Sequence, residues 1–454
     1  MDGIAKLNDI VLLFDNYMPD SRNLHISFRR AGYDCDVAVI EDDGFLPDGV
    51  LSVFGYFLGS FEGKKGIPGK PRYFNQISVP DYWEISGTNS LGKIHDLYRE
   101  RGRIFYAEPA HKRLVKIVDW YNEDRVVRSS DHYNRYGALY ARTTFNAKGQ
   151  KVNKSYFSAD GREVIVENYV TKDIILNEAD KVRIFQSRTD FIIYFLERTG
   201  LSQKRVFFNS LSTPFFVSNK LGSATKRDIL FWQEPVYDEI PGNMRMILEG
   251  KAGRTAQVMV QKRQSYEKLL ALGAPADKVH KLGYIYSFEK ENRHRAEALI
   301  CTNSDRIERC EEIVTALPKM HFHIAAITEM SSKLLALGSH DNVSLYPGVK
   351  MDILDELFDL CDYYLDINHE SEIVSAVYKA FLNDQLIFAF RETLHHMDYV
   401  AESHIYPAEE AGRMIADLKS AMENGAVLDA HLKRQREEAM SECAERYAVF
   451  RKQI

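Results

Sequence analysis

An aromatic–turn–glycine pattern recurs every twelve residues in Tyr133-Asn-Arg-Tyr-Gly137, Phe145-Asn-Ala-Lys-Gly149 and Phe157-Ser-Ala-Asp-Gly161. The same spacing extends to the aromatic residues Tyr121 and Tyr169. Asn or Ser can open a type I turn, and Gly supplies the left-handed residue that closes it. Between the turns, apolar and polar residues alternate as they do in half-buried strands. The repeat therefore predicts an antiparallel β-meander, which we place within residues 61–175.

A strand–helix–strand pattern surrounds this meander. The apolar run Ile10–Phe14 is typical of a buried strand, residues 22–31 of a helix, and residues 36–40 of a second strand. After residue 180 we predict strands at 205–208, 228–232, 256–260 and 281–286 and helices at 190–199 and 264–272. Residues 1–60 and 176–288 are therefore assigned to one Rossmann-like α/β lobe, into which the meander is inserted.

A second α/β series follows the charged stretch Lys290–Arg295, which is the candidate linker. We predict strands at 298–301, 321–326, 342–346, 363–367 and 386–390, helices at 305–317, 352–360 and 373–382, and a mostly helical end at 411–454. Residues 289–454 thus form a second Rossmann-like lobe. Two such lobes would face a cleft, and ligands of these sheets bind at the carboxyl ends of the strands.

Composition narrows the class of partner and the compartment. The 454 residues carry a net charge of -6, which disfavours nucleic acid as a partner. The meander itself is basic, with 13 Lys or Arg against six Asp or Glu between residues 101 and 162, and docking of a protein is the favoured interpretation. The five cysteines show no metal or redox spacing, so a reducing cytoplasm fits best. No apolar run is long enough to span a membrane, and peripheral attachment stays open.

Four short segments, together with the inserted meander, carry a family resemblance. They are Phe14–Tyr17, Glu41–Pro47, Asn209–Pro214 and Leu365–Glu370. The chain resembles the stabilising, non-catalytic subunit of the accessory Sec system peptide O-GlcNAc transferase, a relative of retaining glycosyltransferases of the GT-B fold. The resemblance implies no activity alone, no cofactor and a chaperone-like role. It also implies a 2:2 hetero-oligomer with the catalytic subunit, and a serine-rich repeat adhesin as the acceptor, bound before export.

The groups that would hold a donor sugar look degenerate in the second lobe. Retaining GT-B enzymes of this kind carry two glutamates with seven residues between them. Glu370 can stand at the first position, but Tyr378 occupies the second, and a neutral tyrosine cannot replace a carboxylate that accepts ribose hydroxyls. Arg306 and Arg309 could meet a diphosphate, but acidic residues surround them. The alternative is an active retaining glycosyltransferase that uses Glu370 and one of these arginines.

The strand ends supply the candidate contacts to an acceptor polypeptide. They are Asp15, Asn16, Asn209, Ser210, Ser212, Glu234, Asn368 and His369. For residues 209–214 the alternative is an ordinary strand-end turn with capping hydroxyls. His321 and His323 share a strand face, but no third ligand is evident near them. His395 and His396 lie in a predicted loop, where a metal site is a weak alternative. The sequence therefore predicts no metal site.

Overall fold

The computed structural model describes residues 8–222 and 227–451. Its contacts divide the chain into two compact units. Unit 1 comprises residues 1–259 and 270–280, and unit 2 comprises residues 260–269 and 281–454. Within the described ranges, no helix is long and apolar enough to cross a membrane.

Unit 1 begins with the predicted strand–helix–strand pattern. The elements are β1 (Ile10–Phe14), α1 (Pro19–Arg30), β2 (Asp36–Val39) and β3 (Val50–Ser52). All five residues of β1 are buried, which explains the uninterrupted apolar run. β1 pairs in parallel with β2, and β2 pairs in parallel with β3.

The meander follows as ten strands, each pairing with its sequence neighbours in antiparallel fashion. The strands are β4 (Trp83–Gly87), β5 (Leu91–Asp96), β6 (Arg99–Tyr106), β7 (Val115–Tyr121), β8 (Val127–Tyr133), β9 (Leu139–Phe145), β10 (Lys151–Phe157), β11 (Glu163–Asn168), β12 (Ile174–Asn177) and β13 (Val182–Phe185). The predicted antiparallel meander is confirmed, and its strands continue to Phe185, beyond the predicted end at residue 175.

Four turns of the meander share one geometry. In each, the residue after the repeated aromatic bonds back across the turn, as Asn146 N does to Gln150 O at 2.9 Å. The left-handed position is filled by Gly137, Gly149 and Gly161, and by Arg125, whose φ is 61°. The pattern had indicated three such turns. The fourth was missed because its left-handed residue is an arginine.

The two faces of the meander are covered at opposite ends of the sheet. Val118 lies in a core cluster with Ile94 and Ile104 on one face. The cross-strand row from Val118 runs through Asp131, Arg142 and Ser155. Tyr156 follows Ser155 directly and so lies on the other face, where its ring stacks on Phe54 at 4.8 Å. The first lobe therefore covers this second face at the β10 end of the sheet.

The rest of unit 1 returns to the α/β pattern. The elements are α2 (Arg188–Arg198), β14 (Arg205–Phe208), α3 (Thr213–Lys220), β15 (Asp228–Trp232), α4 (Gly242–Leu248), β16 (Thr255–Val260), α5 (Arg263–Ala271) and β17 (Val279–Lys281). Residues 263–269 of α5 are grouped with unit 2 by their contacts. The sheet order is β17-β16-β15-β14-β1-β2-β3. The strand predicted at 281–286 is wrong in position, since the structure ends that strand at Lys281.

Unit 2 contains a parallel six-stranded sheet of order β20-β19-β18-β21-β22-β23. Its elements are β18 (Glu297–Thr302), α6 (Cys310–Ala316), β19 (His321–Ala326), α7 (Ser332–Leu335), β20 (Val343–Tyr346), α8 (Met351–Leu360), β21 (Tyr363–Asp366), α9 (Ala376–Leu382), β22 (Leu386–Phe390), β23 (Ile405–Tyr406), α10 (Ala411–Glu423), α11 (Gly425–Glu438) and α12 (Ala444–Tyr447). The two predicted α/β layers are thus confirmed.

Two helices of unit 2 begin later than predicted. α6 begins at Cys310 rather than at 305, because Glu308 N bonds to Ile367 O at 2.8 Å and draws the preceding segment into a bridge. α9 begins at Ala376 rather than at 373, since Val374 and Ser375 have φ of 48° and 52°. Both delays lie at the carboxyl edge of this sheet.

The stretch Lys290–Arg295, interpreted as a polar linker, is bound to unit 2. Asp362 is 0% exposed and accepts hydrogen bonds from the backbone N of Arg293 and of Arg295, at 3.1 and 2.8 Å. Lys290 Nζ adds an ion pair to Asp362 at 3.1 Å. Two charges of this stretch, those of Lys290 and Arg295, therefore compensate a buried carboxylate.

Candidate functional site

The carboxyl ends of three parallel strands in unit 1 are tied together by Asn209. β1, β14 and β15 are neighbours in the sheet, so their ends share one edge. The Asn209 side chain donates to Ser21 Oγ at 2.9 Å and to Gln233 Oε1 at 3.0 Å, and its Oδ1 accepts from Asp15 N at 3.4 Å. Asn209 is only 8% exposed, and its amide is occupied by these hydrogen bonds between the strand ends.

The other predicted contact residues of unit 1 divide by exposure. Ser210 is 7% exposed, and its Oγ accepts from Ser212 N at 3.1 Å. Burial raises the pKa of Asp15, against which the Ser210 hydroxyl acts as a hydrogen-bond donor. Asn16, Ser212 and Glu234 are exposed. Ser212 stands at the N-cap of α3, but its side chain makes no cap hydrogen bond. The exposed members form the accessible part of this edge.

An arginine joins this edge to the meander. Arg188, the first residue of α2, donates from Nε to Glu167 of β11 at 2.7 Å and pairs with Glu41, which follows β2. The charges of Glu41 and Arg188 also act on the nearby Asp15. Sequence reasoning quoted Glu41 but missed Arg188 and Glu167, because residues so distant along the chain give no local signal of their proximity.

The carboxyl edge of the unit 2 sheet is closed by its own side chains. Asn368 is 3% exposed; its Oδ1 accepts from Thr302 Oγ1 at 2.9 Å and its Nδ2 donates to Glu370 O at 3.1 Å. The His369 ring contacts Glu308 Oε2 at 2.6 Å. These two predicted contact residues therefore already hold the loop that follows β21.

The arginines proposed for a diphosphate are paired with carboxylates. Arg306 lies 3.2 Å from Glu370 Oε1, and Arg309 lies 3.5 Å from both Glu308 and Glu312. At the second glutamate position, the Tyr378 ring packs 5.0 Å from the Tyr399 ring. The residues present therefore offer neither a ribose-gripping carboxylate nor an unpaired arginine at the predicted positions.

His395 completes the closure of this edge. Its Nδ1 lies 2.6 Å from Asp366 Oδ1, its backbone N donates to Asp366 Oδ2 at 2.8 Å, and its Nε2 donates to Glu370 O at 2.6 Å. The hydrogen bond with Asp366 raises the pKa of His395 to about 9. Next to His395, the His396 ring lies 2.9 Å from Glu372 Oε2, and this hydrogen bond raises the pKa of His396. The sequence had suggested only a weak metal alternative here.

The other histidine pair is held by hydrogen bonds along the sheet. His321 Nε2 lies 2.8 Å from Ser344 Oγ, and His323 lies between Tyr346 OH at 2.9 Å and Glu297 Oε2 at 2.8 Å. Among the described residues, no group of three or more His, Cys, Asp or Glu is arranged to hold a metal ion.

Comparisons with known proteins agree over nearly the whole chain. Four family descriptions match in order: GtfB N-terminal domain at 11–57, GtfB middle domain at 83–186, GtfB third domain at 188–272 and GftB/GlyA-F C-terminal domain at 298–435. A UDP-N-acetylglucosamine–peptide N-acetylglucosaminyltransferase stabilizing protein GtfB of Streptococcus gordonii is 44% identical over 91% of this chain and 92% of its own length. The chain belongs to the GtfB family of stabilizing proteins.

Other members of the GtfB family and their structures support this assignment. The stabilizing protein GtfB of Streptococcus agalactiae is 42% identical, covering 96% of this chain and 98% of that protein. A chain from a crystal structure of the GtfA/B complex bound to UDP and GlcNAc aligns with a TM-score of 0.91 at 41% identity, covering 97% of this chain and 98% of that chain. The prediction of a stabilising, non-catalytic subunit is confirmed.

The fold extends beyond the GtfB family. The pneumococcal O-GlcNAc transferase GtfA, solved with UDP and GlcNAc, aligns with a TM-score of 0.54 at 12% identity over 97% of this chain and 98% of that chain. At this identity the likeness concerns the fold alone. The predicted GT-B-like fold with an inserted meander is confirmed.

Proposed function

We propose that this GtfB-family chain binds the folded catalytic subunit of a peptide O-GlcNAc transferase and presents to it a serine-rich repeat acceptor, before export by the accessory Sec system. The observation that carries the proposal is the closed edge of unit 2, where Arg306 is paired with Glu370. With Tyr378 where the ribose-binding carboxylate would stand and acidic side chains facing Arg306 and Arg309, these positions are poorly suited to a nucleotide sugar, whereas the chain can still bind protein.

Stabilisation of the partner follows from mass action. A subunit that binds only the folded catalytic subunit lowers the free energy of that folded state, by about 2.7 kcal/mol at a hundred times the dissociation constant. The expected result is a higher thermal midpoint for the catalytic subunit when this chain is added. We expect a 2:2 complex, which light scattering of the purified mixture measures directly.

The meander is the proposed docking element for the catalytic subunit. Among the described strands, β13 is the last of this sheet and pairs only with β12, and Val182 and Ile184 on β13 are each 61% exposed. An open edge with exposed apolar side chains is suited to extension by a strand of a partner. Ile184→Lys should weaken capture of the catalytic subunit, whereas Leu335→Lys, at a 48% exposed position in unit 2, should not.

The acceptor is proposed to lie along the carboxyl edge of the unit 1 sheet. The exposed Asn16, Ser212 and Glu234 would contact it there, with Asp15, Asn209 and Ser210 supporting the surface from behind. In unit 2, Asn368 and His369 would act through the loop they hold. A bound acceptor is concentrated near the partner's active site, which raises the rate of transfer without new chemistry.

Two binding measurements on the isolated chain test the proposal. We expect a fluorescent serine-rich peptide to bind, and we expect calorimetry with UDP-GlcNAc to give no heat of binding at micromolar concentrations. Sugar transfer to the peptide by the purified chain alone would overturn the proposal in favour of an active glycosyltransferase. Flotation with anionic vesicles tests the cytoplasmic, membrane-peripheral location that we propose for the complex.

A further inference from the structure

Three large apolar side chains are exposed together at one end of the meander. Tyr82, Leu97 and Tyr98 are 96, 82 and 78% exposed, the highest values for any large hydrophobic residue that the structure describes. Leu97 and Tyr98 form the two-residue turn between β5 and β6. Trp83 of β4 pairs with Asp96 of β5, and the residues next to this pair, Tyr82 and Leu97, therefore lie side by side. These three residues are called the hairpin patch.

Two members of the hairpin patch occupy backbone positions that bulky residues seldom adopt. Tyr82 has a φ of 67° and is the third residue of a turn that Trp83 N closes by donating to Pro80 O at 3.2 Å. Leu97 has a φ of 52° in a two-residue hairpin loop. Glycine and asparagine are favoured at such positions. Bulky apolar residues there cost backbone strain and leave apolar surface in water, so the geometry favours a contact that buries them.

The charged side chains that flank the hairpin patch nearly cancel. Arg101 pairs with Asp96 at 3.1 Å and with Glu123 at 2.7 Å. Arg99 also pairs with Glu123, at 3.1 Å. Two cations and two anions sum to zero, and the exposed Asp81 adds one negative charge. An anionic membrane would find no excess of positive charge here, whereas two copies of such a surface can meet with little repulsion.

The hairpin patch lies far from the edge that we propose for the catalytic subunit. β4 and β13 are at opposite ends of the ten-stranded sheet. Nine spacings of about 4.8 Å separate them by roughly 43 Å along the sheet. A 2:2 complex needs a second kind of contact besides the one that forms a 1:1 pair. The hairpin patch is available to supply that second contact.

The area of the hairpin patch suits a weak two-fold contact. A buried tyrosine contributes about 150–250 Å². With Leu97, the two tyrosines supply on the order of 500 Å² per chain, and two copies supply about 1,000 Å² in total. That total is near the lower limit of specific interfaces. The contact should therefore be weak in the isolated chain and stronger where other subunit contacts add to it.

We propose that the hairpin patch binds the same patch of a second copy of this chain across a two-fold axis, and that this contact joins two 1:1 pairs into the 2:2 complex. The inference rests on the capture of the catalytic subunit proposed above, and it assigns the catalytic subunit and the second copy to different edges of the meander. In a two-fold contact the same residues serve both copies, so one substitution alters both halves of the contact.

Substitutions that relieve the backbone strain test this contact. Tyr82→Asn and Leu97→Asn, combined in one chain, remove two apolar side chains and place at both positions a residue that tolerates a left-handed backbone. Urea unfolding of this double variant should therefore show an unchanged or higher midpoint. Tyr237→Asn, at a 74% exposed position outside the meander, is the matched control.

Sedimentation velocity measures self-association of the chain alone, and light scattering measures the complex. We expect the unmodified chain and Tyr237→Asn to dimerise as their concentration rises and to form a 2:2 complex with the catalytic subunit. The double variant should self-associate at least tenfold more weakly and form a 1:1 complex that keeps the raised thermal midpoint of the catalytic subunit. If the double variant fails to fold, Tyr98→Ser serves in its place, with the same change expected.

The two levels of proposal fail separately. A folded variant of the hairpin patch that still forms a 2:2 complex would overturn the two-fold contact. Loss of capture of the catalytic subunit by that variant would assign the patch to the catalytic subunit, and loss of flotation with anionic vesicles at unchanged self-association would assign it to a membrane. An unmodified chain that does not capture the catalytic subunit at all would instead overturn the proposed function.

Discussion

The carboxyl edges of the two parallel sheets have the same architectural position and opposite chemistry. In unit 2, charged groups pair with one another: His395 with the buried Asp366, and Arg306 with Glu370 in a solvent-exposed ion pair. In unit 1, the neutral amide of Asn209 ties the strand ends together through Ser21 and Gln233. One fold can therefore close such an edge by pairing its own charges, or hold the strands with a neutral amide and leave polar side chains such as Asn16 and Ser212 exposed there.

The largest expected effect is the loss of the buried carboxylate that closes unit 2. Asp366 is 2% exposed and bonds to both the ring and the backbone of His395. Asp366→Ala leaves that imidazolium without its partner and should cost about 3–5 kcal/mol of unfolding free energy. Urea unfolding measures the loss. Asp355→Ala, at an exposed ion pair with Lys379, should change the free energy by less than about 1 kcal/mol.

The closure of unit 2 should also depend on pH in a defined window. The pKa of His395 rises from 6.5 to about 9 on folding, so the folded state binds more protons between these values. The stabilisation is therefore complete below pH 6.5 and is lost as the pH rises through 9. His395→Gln should cost about 1–3 kcal/mol at pH 6 and much less at pH 10. A cost that does not change with pH would contradict a charged imidazole.

The hydrogen bonds of Asn209 in unit 1 should contribute less stability than the His395–Asp366 pair of unit 2, because the groups that they join are neutral. Asn209→Ala leaves Ser21 Oγ and Gln233 Oε1 without this donor and should cost about 1–2 kcal/mol. Hydrogen exchange of β14 and β15 locates the loss. Asn16→Ala, at an exposed position of the same edge, is the control and should leave exchange unchanged. Equal effects of the two substitutions would mean that Asn209 does not hold the strand ends.

The smallest expected effect concerns the meander turns, which lie away from both edges. Arg125 occupies the left-handed position that glycine fills in the three following turns. Arg125→Gly should raise the unfolding free energy by roughly 0.5–1 kcal/mol, and Gly149→Ala should lower it by about 1 kcal/mol, since nothing lies within 3.4 Å of the added Cβ and only backbone strain changes. Urea unfolding measures both changes in free energy. Changes of the same sign would contradict a strained left-handed backbone at Arg125.

Local sequence patterns predicted the strands and helices well, but they could not predict contacts between residues that are distant along the chain. The strands at 205–208, 228–232, 321–326 and 386–390 match the structure in both bounds. A buried parallel strand is an apolar run, which is visible in a single sequence. The start of α6 was wrong because a tertiary hydrogen bond from Glu308 to Ile367 overrides local helix preference.

The sequence predicted where the candidate contact residues lie better than it predicted what their side chains do. Asn209 and Asn368 do lie at strand ends, but their amides serve the protein's own backbone and side chains. Arg188 was missed as a site residue because its partners Glu41 and Glu167 lie far away in sequence.

The twelve-residue repeat also limits how the meander can change in length. One repeat unit is a single strand with its turn, so losing one unit would reverse the direction of every later strand and misdirect the chain as it re-enters the Rossmann-like layer. Losing two units removes a complete hairpin and preserves that direction. Shortening or lengthening of this sheet by evolution or by engineering should therefore proceed in increments of about 24 residues, in keeping with the spacing of its aromatic residues.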